Sequence, residues 1–182
     1  MNFGVAFGYG SADGRLLGSD TYFYDYNAFK LVLNKRLLGK SSWRLEGILE
    51  PTYFQVKFRE IEAATDQSVM HYINEYALVL GLLSRWYLSS SLSAYFVGST
   101  GPLYNDHFTS RMKKGLGFSN GLGIGLTYEL KGLRIDIRSG IRHVSNAGLN
   151  EPNLGYNSSI TEIGLLFALD KRPKVTSTLA SQ

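Results

Sequence analysis

The sequence contains no cysteine, so neither a disulfide nor a thiolate can hold the fold or carry chemistry. No apolar run approaches the roughly 18 residues that a membrane-crossing helix needs. If the chain enters a bilayer it must do so as a closed barrel, the other architecture that satisfies every backbone polar group in hydrocarbon. Charge is scarce too: Asp, Glu, Lys and Arg make up 19% of the chain, a light load for a soluble domain. The net charge of +4 is spread out, with no concentrated basic stripe, and this argues against a nucleic-acid partner. No carboxylate cluster at metal-like spacing surrounds His71 or His107. Both read as solvated loop residues, and no metal or other cofactor is expected. No signal-peptide pattern precedes the first strand, which reads as the start of a mature form.

What is present is a sheet composition. The 182 residues suit one domain, and they include 20 Gly, 12 Tyr and 10 Phe. Such residues serve turns, crowded strand faces and the aromatic girdles of membrane barrels. Period-two alternation marks strands at 2–10, 22–34, 43–54, 72–87, 92–99, 115–130, 133–143 and 157–169. The connections alternate long and short, as in barrels with long external loops and short turns at the other rim. The expected architecture is an all-β, eight-stranded antiparallel transmembrane barrel over 1–170, followed by a polar C-terminal tail at 171–182. Both termini fall on the short-turn side.

The two faces of these strands are unlike. Leu, Ile, Phe and Trp form continuous rows on one face. Arg44, Glu46, Glu50, Glu75, Arg85, Arg134, Asp136 and Arg138 lie on the other. Buried charges are tolerable when they pair, whereas long exposed apolar rows in water are not. The apolar rows therefore face lipid and the charges fill the lumen. An eight-stranded barrel is only wide enough for side chains, so the charged row reads as a packed ionic core rather than a channel. A soluble lipid-carrying barrel would show the opposite sidedness.

The stretch IRHVSNAGLNEPNLGYN, residues 141–157, ends one strand, crosses a Gly/Pro/Asn loop and begins the next. His143 and Ser145 stand two apart and share the outward face of Ile137 and Ile141. Polar groups on a lipid-facing strand are costly or functional. An imidazole beside a hydroxyl can move the proton that ester hydrolysis requires.

This stretch, preceded by the glycine-rich GLGFSNGLGIGLTYEL, resembles the signature of the lipid A 3-O-deacylase family (the PagL type, also called acyloxyacyl hydrolase), with the core H-x-S-N-A-G-L…P-N-x-G. The resemblance implies an outer-membrane enzyme that hydrolyses the ester-linked acyl chain at position 3 of lipid A, the anchor of lipopolysaccharide. It implies no metal or cofactor, and its partners would be that lipid and the membrane; a homodimer is left open. It assigns Ser145 as nucleophile and His143 as general base. Asn153, with Asn146 and Gly148 in the same loop, would form the oxyanion site, and Phe118 would lie against the acyl chain. A family member of this type carries a Glu twelve residues after the serine, where this chain has Asn157. An Asn can still orient the imidazole by accepting its N–H. Glu162 is turned into the lumen by parity, and Glu151 in the loop is a weaker second candidate. The alternative is a catalytically weak or inactive barrel with a structural, adhesion or lipid-binding role.

Overall fold

Strict two-residue alternation gives each strand one apolar face, and a sheet of such strands can hide its edges only by closing. The computed structural model describes residues 1–12, 22–40, 42–62 and 67–169. Within them run β1 (Asn2–Ser11), β2 (Tyr22–Gly39), β3 (Trp43–Glu62), β4 (Gln67–Tyr87), β5 (Leu92–Asn105), β6 (Gly115–Leu130), β7 (Leu133–Ser145) and β8 (Tyr156–Ala168). Each pairs antiparallel with its sequence neighbour, and β8 pairs with β1 to close the barrel. The predicted tail at 171–182 and most of the first predicted loop lie outside the described residues.

The sidedness is that of a membrane barrel. Phe7, Leu80, Leu82, Ile124, Ile137 and Ile163 are exposed on the outer surface. The charged row is inside. Glu50 and Glu162 each bind both Lys30 and Arg138. Arg142 binds Glu75 at 2.7 Å, and Arg85 binds Glu46 at 3.2 Å. Tyr95 donates to Asp136 at 2.6 Å. Charges of both signs thus neutralise one another where water is excluded, the condition under which burial is tolerable. The inward glycines of β6 make room for this filling: the Tyr95 ring occupies the space that a Cβ on Gly125 would need.

Four strands are longer than the sequence pattern predicts by about five residues or more. β2 runs on through 35–39, past its predicted end at 34. β3 continues past its predicted end at 54 to Glu62, β4 begins at Gln67 rather than 72, and β5 continues through 100–105. Toward the external rim the polarity of the alternation reverses. Val56 and Phe58 point inward and are buried, while Gln55, Lys57 and Arg59 point outward and are exposed. Above the lipid-facing band the wall follows the rule of a soluble barrel, with apolar groups inside and polar groups outside. The rim lumen is accordingly aromatic. Tyr24 stacks on Tyr156 with centroids 4.6 Å apart, and Tyr22 and Phe58 pack edge-on or tilted around them.

His71 and His107, read as solvated loop residues, are instead partnered. His71 lies on β4, where its Nδ1 is 3.0 Å from Nε2 of His107 and its Nε2 is 3.0 Å from Glu60. The extended β3–β4 ladder brings Glu60 and His71 to the same rim, a placement that a loop reading could not anticipate.

Candidate active site

The ladder register builds the site. In β7 and β8, His143 and Asn157 are Cα partners, and across the other edge of β7 Ser145 is opposite Phe118 of β6. His143 and Asn157 are exposed on the outer surface near the external rim, and Ser145 and Phe118 are half-buried beside them. Asn157 Oδ1 lies 2.7 Å from His143 Nδ1. An amide oxygen can only accept, so Nδ1 carries the proton and Nε2 of the neutral ring is left with its lone pair. The imidazole is thereby held in the tautomer a general base requires. Ser145 Oγ forms no hydrogen bond among the described residues. Such contacts commonly tighten only when substrate binds.

Gly155 is the floor on which this pair rests. A Cβ at that position would lie 3.3 Å from Cβ of Ser145, 3.4 Å from Cε1 of His143 and 2.5 Å from the carbonyl oxygen of Val144. Its φ of +63° also falls in the left-handed region. Space and backbone both require glycine there.

The loop between β7 and β8 is fastened by its asparagines. Asn146 is buried. Its Nδ2 donates to the carbonyls of Asn150 (2.7 Å) and Pro152 (3.3 Å), and its Oδ1 accepts from the Gly148 N–H at 3.1 Å. The Asn146 side chain and the Gly148 N–H are therefore committed within the loop. Asn153 Oδ1 accepts from the Asn146 N–H at 2.9 Å, and its Nδ2 has no partner among the described residues. Of the three predicted oxyanion groups, the Asn153 amide is the one with a free donor. Glu162 lies in the lumen with Lys30 and Arg138, as parity predicts, and Glu151 is exposed in the loop with no contact to His143.

Two groups that the sequence pattern did not single out complete the surroundings. Arg111, from the β5–β6 connection, donates to the carbonyls of Gly155 (2.8 Å) and Leu154 (3.3 Å). Tyr22, at the start of β2, accepts the backbone N–H of Asn157 at 3.2 Å. Tyr22 stands in an aromatic stretch whose composition does not set it apart, and nothing near Arg111 signals a role.

A closed eight-stranded barrel with an apolar exterior, an ion-paired lumen and a polar constellation at one outer rim has the build of an outer-membrane barrel. The family described as lipid A 3-O-deacylase (PagL) matches residues 20–165, and the chain belongs to that family. The fold is similar to that in the crystal structure of the outer membrane enzyme PagL, at 16% identity over 93% of this chain and 100% of that one, with a TM-score of 0.53. A second similar structure is the backbone structure of the Yersinia pestis outer membrane protein Ail in a phospholipid bilayer nanodisc, at 13% identity over 91% and 99% of the two chains and a TM-score of 0.39. No curated protein matches.

Proposed function

We propose that this protein is an outer-membrane serine esterase that removes the ester-linked 3-O-acyl chain of lipid A. Family membership supports the substrate class. The observation that carries the mechanism is the 2.7 Å contact of His143 Nδ1 with Asn157 Oδ1, with Ser145 two residues away on the same outward face. Nε2 of His143 takes the proton of Ser145 Oγ as that oxygen attacks the ester carbonyl. The tetrahedral oxyanion accepts a hydrogen bond from Asn153 Nδ2. On collapse, the C–O bond to the sugar breaks and the imidazolium returns its proton to the departing alkoxide, leaving an acyl-serine. Water then attacks the acyl-serine with His143 again as base, releasing a free fatty acid and regenerating Ser145.

The outward placement suits the substrate. A lipid embedded in the same membrane presents its ester at the boundary between headgroup and hydrocarbon, and the constellation sits on the outer wall near one rim rather than in the lumen. Phe118, opposite Ser145, offers an aromatic surface to the acyl chain. The test is incubation of purified barrel with lipid A, with free fatty acid measured for wild type and Ser145→Ala. Release by wild type alone supports the esterase. Equal behaviour of the two would favour a non-catalytic barrel.

A further inference from the structure

The carboxylate that would ordinarily complete such a triad is an amide here. An amide orients the imidazole through geometry alone and gives it no net charge to lean on. The β7–β8 ladder sets the register of Asn157, and its exact placement also depends on the segment that leads into β8, which Arg111 holds. Its side chain donates to the carbonyls of Gly155 at 2.8 Å and Leu154 at 3.3 Å. Its own carbonyl accepts the N–H groups of Leu154 at 2.9 Å and Gly155 at 3.4 Å. One residue of the β5–β6 connection thus makes four hydrogen bonds to the two residues that precede Tyr156 and Asn157. The adjacent Met112 forms an antiparallel bridge with Asn153, which extends the same clamp toward the loop amide.

A second route runs through an aromatic ring. The Arg111 guanidinium lies 4.1 Å from the centroid of Tyr22, whose hydroxyl accepts the Asn157 N–H at 3.2 Å. Tyr22 is buried against Phe58 and Tyr156, so it has little freedom to move. Arg111 has no carboxylate partner among the described residues, and carbonyl dipoles and a π face take that place. The segment around Arg111 is itself tied down. Thr109 bonds to the Tyr156 hydroxyl, and Ser110 bonds to Glu60 on β3.

We infer that Arg111 is a positioning residue for the catalytic histidine. Together with Tyr22 it sets the place of Asn157, and through Asn157 the tautomer and orientation of His143. This rests on the esterase reading above. Displacement of a reacting group by about 1 Å can cost on the order of 100-fold in rate. Arg111→Ala should therefore lower kcat by about that factor with KM changed less than about twofold, because the substrate surface is untouched. Tyr22→Phe deletes only the hydroxyl and should lower kcat by about tenfold, as one interaction worth roughly 1.4 kcal/mol. Arg111→Lys keeps the charge but cannot span both carbonyls while covering the ring, so it should not restore the rate.

The deciding experiment reads the histidine directly. The imidazole nitrogen shifts of His143 in nitrogen-15-labelled barrel in detergent should show a neutral ring protonated at Nδ1 in wild type, and a mixture of tautomers in Arg111→Ala and Tyr22→Phe. Retention of the wild-type tautomer in both variants, or a kcat within twofold of wild type in both, overturns the inference. A loss confined to thermal stability, with an unchanged rate per folded barrel, overturns it as well. If Arg111→Ala fails to migrate as a folded barrel, Tyr22→Phe carries the test with the same outcomes. If wild type itself releases no fatty acid, the esterase reading fails, and the nitrogen shifts still decide whether Arg111 and Tyr22 hold the ring.

Discussion

Asn157 faces His143 across the β7–β8 ladder, and its amide oxygen accepts the Nδ1–H of the imidazole at 2.7 Å. In the proposed mechanism the amide selects the tautomer of the base but contributes no negative charge to the imidazolium that would form as Ser145 attacks. A carboxylate would do both, since a charge-assisted hydrogen bond is roughly twice as strong as a neutral one.

Asn157→Asp is close to isosteric and adds that charge. We expect it to raise kcat by about tenfold, equivalent to roughly 1.4 kcal/mol of transition-state stabilisation. Asn157→Leu removes the acceptor and should lower kcat by about 100-fold with the barrel intact. Initial rates of fatty-acid release, normalised to folded protein, check both. Equal rates for all three proteins would mean that Asn157 does not orient the base.

Gly155→Ala should separate folding from catalysis. The new methyl would crowd the Val144 carbonyl at 2.5 Å and press on Ser145 and His143. The left-handed backbone adds roughly 1–2 kcal/mol. The strand ladders lie outside this turn, so the barrel should still migrate as a folded species while deacylation falls by tenfold or more. Electrophoretic heat-modifiability and fatty-acid release read the two effects independently.

The lumen should be intolerant of a single missing charge. Glu75 is fully buried, paired with Arg142 at 2.7 Å and accepting from Tyr24 at 3.0 Å. Glu75→Gln leaves the Arg142 guanidinium buried without its counter-ion and should cost about 3–5 kcal/mol in urea unfolding from lipid vesicles. Lys57→Ala, on the exposed outer wall of the rim, should stay within about 0.5 kcal/mol of wild type.

Sidedness can be tested from the outside. Leu80 points outward from β4 and is 52% exposed. In lipid, Leu80→Arg should destabilise the barrel by about 2–4 kcal/mol if Leu80 lies near the bilayer midplane. The same unfolding titration measures it, and a neutral result would contradict a lipid-covered wall.

Much of this was legible in the sequence because strand alternation has a period of two and tolerates no slip. The eight strands, the inward charges and the outward His143–Ser145 pair all follow from parity. Strand lengths were less legible. Residues such as Lys57 and Arg59 look like loop only because the alternation inverts above the lipid band, where polar groups face out. Gly101 and Pro102 gave a turn signal inside β5, yet Pro102 sits within the β5–β6 ladder, opposite Phe118. Arg111 and Tyr22 were not legible at all. They reach the site through contacts between segments 44 and 135 positions apart, and no periodicity encodes such contacts.

The central claim is that Ser145 and His143 form an esterase on the outer wall. Mass spectrometry of lipid A after exposure to the barrel tests it most directly. The account predicts loss of one 3-O-linked acyl chain with wild type and intact lipid A with Ser145→Ala, both proteins migrating as folded barrels. Intact lipid A with wild type, or identical deacylation by the Ser145→Ala variant, would contradict it.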